Sequence, residues 1–205
     1  GYSVPYYYDT KINKWIYTGF SEPSLFITTE LEIDEIQTLF IAYVSGVNEG
    51  HILDGNYEEG EEERVDKAIE YINEAPLFIE HIPDFNVKDI ADAVKKYKIQ
   101  HNIGYVAFDY IHTSTKILAE IGMKTRGMKL REDNVLTLFS TEMKTLCTKL
   151  NIHFDSSTQL NGEWENSKNG NQNLLRGAKA IADKIDVGII GLPVTEADLK
   201  ALNSV

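Results

Sequence analysis

Short apolar runs alternate with longer amphipathic stretches along this chain. Ser24 to Thr28, Leu77 to His81, Gly104 to Asp109, Ile152 to Ser156 and Val187 to Ile190 are brief runs rich in Leu, Ile, Val and Phe. Runs this short and this apolar predict strands covered on both faces. Between them the apolar positions step by three and four. The stripes are Ile33, Ile36, Phe40 and Val44; Val65, Ala68, Ile69 and Ile72; Val87, Ile90, Val94 and Tyr97; Val135, Phe139, Leu146 and Leu150; and Leu174, Ala178, Ile181 and Ile185. That period predicts helices with one face turned to a core. Asn86, with Asp89 three positions on, predicts a helix N-cap. Strand-helix-strand alternation predicts an α/β fold, a mostly parallel sheet flanked by helices.

Two stretches depart from the alternation. Val4 to Tyr17 reads as a hairpin whose aromatic arms flank a polar turn from Asp9 to Lys14, with Tyr6, Tyr7, Tyr8 and Trp15 packing it on itself or on the sheet. Asn161 to Asn173 holds Gly162, Gly170 and five Asn in 13 residues, and reads as a loop. No internal repeat or low-complexity tract interrupts the pattern.

Composition narrows the class. The chain has 205 residues, 42% apolar and 25% charged, which suits one globular domain with a real core. One cysteine excludes an internal disulfide framework and favours a reducing, cytoplasmic compartment. The longest apolar run, Leu39 to Val44, is six residues, against the roughly 18 a membrane helix needs. No membrane association is expected, and no secretory signal opens the chain. The first residue is Gly1 rather than Met.

The net charge of −12 argues against a bulk nucleic-acid binder, but the charge is unevenly distributed. Glu49 to Asp66 holds eight acids and one base. Lys116 to Arg131 holds five bases (Lys116, Lys124, Arg126, Lys129 and Arg131) and one acid, Glu120. With Gly122 and Gly127 inside it, this second window reads as a basic loop. Such a loop on an acidic body either focuses a positive field on an anionic strand or is an ordinary solvated loop.

Ligands of parallel α/β sheets sit beyond the carboxyl ends of the strands. Three strand ends here are followed by Glu30, Asp109 and Gln159. Val106 to Asp109, apolar and closing on a carboxylate, has the form of a Walker B strand whose Asp holds Mg²⁺, usually through water. Glu30 is placed to deprotonate a water attacking a terminal phosphate, and Gln159 to sense that phosphate. An Asp ending a strand is also a common turn former; the combination of three strand ends carries the reading. The five histidines (His51, His81, His101, His112 and His153) have no metal-ligand spacing. Cys147 reads as a small core residue. Trp164, in the polar loop, suits base stacking or packing on a neighbouring subunit.

These residues resemble the RecA-like ATPase domain of DnaB-type replicative helicases. The resemblance runs through Leu25 to Leu31, Glu74 to Ile79, Tyr105 to Tyr110, Lys149 to Asn151, Thr158 to Asn161 and Leu175 to Asp186, in the family's order. It covers about residues 23–190. It implies a RecA-like P-loop NTPase core at 23–190, an inserted hairpin at 1–22 and a C-terminal segment at 191–205. Glu30 matches the catalytic glutamate, Asp109 the Walker B aspartate and Gln159 the glutamine linking nucleotide state to DNA contact. Arg176 matches an arginine of a channel-facing DNA loop, with Lys179 in the same loop. The basic stretch of Lys124, Arg126, Lys129 and Arg131 falls at a second channel-facing loop. The resemblance further implies ATP and Mg²⁺ as cofactors, single-stranded DNA as partner, a hexameric homo-oligomer, and contacts with a primase or loader.

The chain departs from that pattern in several places. The Walker A motif is absent and is expected upstream of the first strand, before Gly1. The arginine-finger segment after the last strand is not recognisable. Gly177 stands where the family usually has Glu, Lys179 where it has Gly, and His112 where it has Gln after the Walker B strand. Three readings follow: a helicase motor domain that hydrolyses ATP as native-length protein but not as this chain alone; a non-catalytic RecA-like DNA-binding or helicase-regulating module; and a recombinase or clock-type relative, which Glu74-Ala75-Pro76-Leu77 and Leu175 to Asp186 fit less well.

Overall fold

The computed structural model describes residues 2–124, 132–158, 184–189, 191, 194 and 199. The elements run β1 (Tyr6–Asp9), β2 (Lys14–Tyr17), β3 (Ser24–Thr28), α1 (Ile33–Ser45), α2 (Glu49–Asp54), α3 (Glu61–Glu74), β4 (Leu77–His81), α4 (Val87–His101), β5 (Tyr105–Asp109), α5 (Thr115–Lys124), α6 (Glu132–Leu150) and β6 (His153–Ser156). Strands β3 to β6 form a four-stranded sheet in the order β4-β3-β5-β6, all parallel. Strands β1 and β2 form a separate antiparallel hairpin. The α/β architecture is the one the alternating pattern predicts, and the hairpin is the one read separately from Val4 to Tyr17.

Strand alternation divides the core between the two faces. Leu25 and Ile27 of β3, and Val106 and Phe108 of β5, pack against Ile90 and Val94 of α4 and Phe139, Met143 and Leu146 of α6. Ile27, Ile90 and Val94 have no exposed surface, and each such side chain stabilises the fold by about 1.5–3 kcal/mol. On the opposite face Phe26 meets Phe40 of α1 edge-on at 5.3 Å, and Leu77 joins a smaller cluster around Val4, Val44 and Ala68.

Local chemistry sets the helix ends. Asn86 Oδ1 accepts from Asp89 N at 2.8 Å, and Asp89 Oδ2 accepts from Asn86 N at 3.1 Å. This is the reciprocal cap predicted at the start of α4. Helix α1 ends on Gly46, at φ 66°. A Cβ there would lie 2.8 Å from Thr10 Cγ2 and 3.2 Å from Tyr8 O, so the close approach of the hairpin demands glycine a second time. The hairpin packs on itself and on α3. Tyr6 stacks on Tyr71 at 4.4 Å, Trp15 meets Tyr71 edge-on at 5.1 Å, and the Arg64 guanidinium lies 4.6 Å over the Tyr8 ring.

Two expectations need correction, and one helix was not anticipated. The basic window does not begin as a loop: Thr115 to Lys124 is helix α5. Ser114 Oγ accepts from Ile117 N at 3.1 Å as its N-cap, and Ile117 is buried against the core. Capping and apolar anchoring outweigh the cost of Gly122 within the helix, about 1 kcal/mol. Residues 187–189 form no strand; Val187 and Ile189 are 79% and 91% exposed, so no described sheet covers the run. Helix α2, within the acidic stretch, was not anticipated; Asn48 Oδ1 caps it by accepting from Gly50 N.

Candidate active site at the carboxyl edge of the sheet

The register of the sheet brings the two carboxylate-bearing strand ends together. Thr28, the last residue of β3, pairs with Asp109 of β5 on one side and with His81 of β4 on the other. Beyond Thr28 the chain turns sharply. The Thr28 hydroxyl donates to Leu31 O at 2.9 Å and accepts from Leu31 N at 3.1 Å, closing a turn with Glu30 at its apex. Thr28 has no exposed surface, whereas Glu30 is exposed. A buried hydroxyl thus holds a solvent-facing carboxylate at the sheet edge.

Thr29 joins this turn to β5. Its N–H and its hydroxyl both donate to the Asp109 carbonyl oxygen, at 3.0 and 2.9 Å. Asp109 is held from the other side as well. Ser157 Oγ donates to Asp109 Oδ1 at 3.3 Å, Ser156 Oγ to Phe108 O at 2.8 Å and Ile111 N to Ser157 O at 3.0 Å. The peptide from Asp109 to Tyr110 is cis. His112 Nε2 lies 3.2 Å from Thr29 Oγ1. Below the turn, Glu32 Oε2 lies 3.1 Å from His81 Nδ1, and Glu32 N donates to Glu35 Oε2 at 2.8 Å, tying the start of α1 to the end of β4.

The donor set suits a divalent cation bound mainly by water and phosphate. Among the described residues no group of three His, Cys, Asp or Glu side chains could cage a metal. Mg²⁺ dehydrates reluctantly and takes one or two carboxylates beside substrate oxygens. Asp109, with Oδ1 engaged by Ser157, fits that role.

Of the other predicted site residues, Gln159, Arg126, Lys129, Arg131, Arg176 and Lys179 lie outside the described residues, as does Trp164. Lys124 closes helix α5. Cys147 packs against the core, and burial pushes its thiol pKa up, as an inert structural cysteine requires. Thr28, Thr29 and Ser157 were not anticipated as site residues, and His112 was noted only where it departs from the family's Gln. Hydroxyls beside Glu30 and Gln159 were the only signal, and turn-forming Ser and Thr look the same in a sequence.

A cavity of about 320 Å³ lies elsewhere, between the N-terminal segment, α1 and the starts of β3 and β5, with Tyr2, Phe26, Phe40 and Tyr105 among its lining residues. It opens at the amino half of the strands, away from Asp109.

Known proteins share this fold. The family model of the DnaB-like helicase C-terminal domain matches residues 10–191. The SPbeta prophage-derived uncharacterized protein YorI of Bacillus subtilis (strain 168) is 40% identical over 202 residues, covering 97% of this chain. The chain spans 40% of that relative's length. A solved DnaB-like replicative helicase, described with its interactions with primase, superposes with TM-score 0.66 at 15% identity, over 80% of this chain and 39% of the other. A second solved structure, described as an ATPase domain, superposes with TM-score 0.65 at 16% identity, over 80% of this chain and 57% of that one. Among the described residues no helix is long and apolar enough to cross a membrane. The chain belongs to the DnaB-like helicase C-terminal domain family.

Proposed function

We propose that this chain is the larger part of the motor domain of an ATP-dependent DNA helicase, coupling ATP hydrolysis to movement on single-stranded DNA during replication. The observation that carries the reading is the pairing of Thr28 with Asp109. It sets Glu30 and Asp109 on neighbouring strand ends of a chain that belongs to this family. In the proposal Glu30 takes the proton of the attacking water. Asp109 holds Mg²⁺ through water, and the ion supplies charge neutralisation at the phosphate oxygens. Gln159 reports the phosphate state to the DNA-binding residues Arg176, Lys179, Lys124, Arg126, Lys129 and Arg131. Assembly as a hexamer, a cytoplasmic location and contact with a primase or loader belong to the same proposal. So does the division into a hairpin at 1–22, a core at 23–190 and a C-terminal segment at 191–205.

In this reading the phosphate-binding loop follows a further parallel strand of the same sheet, since no Gly-x-x-x-x-Gly-Lys-Ser/Thr occurs within these residues. Helix α4, and α5 with α6, cross the sheet on one face toward β6; α1 to α3 return on the other. A strand added parallel at the β6 edge and followed by a helix leading to β3 crosses on the α1 face by the right-handed rule. The apolar cavity beside Phe26 and Tyr105 lies on that face.

The test is MgATP hydrolysis by the native-length protein, with and without single-stranded DNA, beside its Asp109→Asn variant. DNA-stimulated hydrolysis that the variant loses supports the motor. An assembled native-length protein that binds DNA and hydrolyses nothing supports the non-catalytic module instead.

A further inference from the structure

We propose that His112 is a positioning residue for the Glu30 and Asp109 pair, acting through Thr29. The inference rests on the hydrolytic reading of the site. Its starting point is a proton count. The Thr29 hydroxyl carries one proton, and the Asp109 carbonyl oxygen, 2.9 Å away, can only accept it. The Thr29 oxygen therefore faces His112 Nε2, 3.2 Å away, with lone pairs alone. Only a protonated Nε2 completes that contact. His112 is therefore the donor, through a proton on Nε2.

The ring is held on the hydrophobic core. Phe85 meets it edge-on at 5.1 Å and 88°. Phe85 has no exposed surface and packs edge-on against Phe108 at 5.2 Å. Its carbonyl also accepts the Ser114 hydroxyl, which caps α5. Tyr110 flanks the imidazole at 5.0 Å. The imidazole thus transmits the fixed position of the core to the Thr29 hydroxyl. Thr29 is covalently next to Glu30 and hydrogen-bonded to Asp109. Without this donor, Thr29 keeps its N–H bond to Asp109 O, but its hydroxyl is no longer held from both sides. The Thr29 hydroxyl is then free to rotate off the Asp109 carbonyl, which loosens the Glu30 turn against the Asp109 strand. Displacement of a catalytic group by about 1 Å costs up to about 10²-fold in rate.

Side-chain length separates this role from simple polarity. Glutamine carries its amide nitrogen as many bonds from Cβ as histidine carries Nε2; asparagine falls one bond short. The experiment measures DNA-stimulated kcat, and KM for MgATP, in native-length protein carrying His112→Gln, His112→Asn, Thr29→Ser, Thr29→Val and the His112→Asn/Thr29→Val pair. His112→Asn and Thr29→Val are expected to lower kcat about tenfold with KM within about twofold, and the pair to lower it no further. His112→Gln and Thr29→Ser are expected to restore kcat to within about threefold of wild type. Equal kcat for His112→Asn and His112→Gln overturns the inference, as do losses that multiply in the double variant. Thr29→Val gives an independent route to the same answer if His112→Asn does not fold. If wild type hydrolyses ATP and Glu30→Gln does not, while His112→Asn matches wild type, His112 alone is misassigned. If wild type hydrolyses nothing, the hydrolytic reading and this inference fall together.

Discussion

Thr29 gives both its backbone N–H and its side-chain hydroxyl to the carbonyl oxygen of Asp109. These residues are 80 positions apart in the chain, yet they fuse the turn carrying one carboxylate to the strand carrying the other. The backbone bond closes the ladder at the residue before Glu30, and the hydroxyl adds a side-chain bond to the same carbonyl.

Thr28 closes the turn that Glu30 crowns, so Thr28→Val should unlock it while keeping the side-chain shape. Two hydrogen bonds to Leu31 are lost inside the protein. The expected cost is about 1–3 kcal/mol in urea unfolding, together with reduced hydrolysis by the native-length protein. Thr28→Ser should retain most of both. Equal behaviour of the two variants would show that the hydroxyl does not organise the turn.

Ile27 is buried between β3 and the α4 face, with no exposed surface. Ile27→Ala is expected to destabilise by about 2–5 kcal/mol. An exposed carboxylate makes the contrasting case: Glu30→Gln should leave the melting midpoint nearly unchanged. If Glu30→Gln proves as destabilising as Ile27→Ala, Glu30 is a structural residue.

Gly46 is required by both its φ of 66° and the nearness of Thr10 and Tyr8. Gly46→Ala is therefore expected to destabilise by about 1–3 kcal/mol. Gly55, also at positive φ but with open space around it, separates the two causes. Gly55→Ala should cost only the backbone term, about 1 kcal/mol. Equal losses at both sites would mean that the hairpin does not press on the end of α1.

His51 and Glu61 make stability depend on pH. The bond to Glu61 raises the His51 pKa against the opposing effect of burial. The Glu58 N–H, and next the His51 contact, hold the Glu61 carboxyl below its ordinary value. A raised histidine contributes stability that is complete below the unfolded histidine pKa and lost as pH rises through the folded value. A depressed glutamate contributes stability present above the unfolded glutamate pKa and lost as pH falls through its folded value. The pair is strongest between about pH 4.3 and 6.5. The melting-point advantage of wild type over His51→Gln should shrink as pH rises from about 6 to 8. An advantage that stays constant across that range contradicts the assignment.

Much of the fold was legible because one face pattern governs it. Ser24 to Thr28 and Leu77 to His81 are strands with the bounds their apolar runs suggested, and Asn86 caps α4 as its spacing implied. Where charge was taken as the signal, the reading erred: Lys116 to Lys124 looked like a basic loop, but Ser114 and Ile117 anchor a helix there. The run at Val187 shows the opposite limit, since an apolar stretch with no described strand beside it to pair with is not a strand. In the site, Glu30 and Asp109 were visible as carboxylates after apolar runs. Their adjacency depends on the pairing of β3 with β5, and strand order is a long-range property. The hydroxyl network of Thr28, Thr29 and Ser157, and the donor His112, follow from that pairing and could not be read before it.

Glu30 is proposed to activate water for ATP hydrolysis coupled to DNA. The most direct measurement is the ATP turnover of native-length wild type and Glu30→Gln, each with and without single-stranded DNA and each shown to be folded and assembled. DNA is expected to stimulate wild type, and Glu30→Gln to lose about 10²–10⁴-fold in kcat while still binding nucleotide. Turnover in Glu30→Gln equal to that of a DNA-stimulated wild type would contradict that role for Glu30.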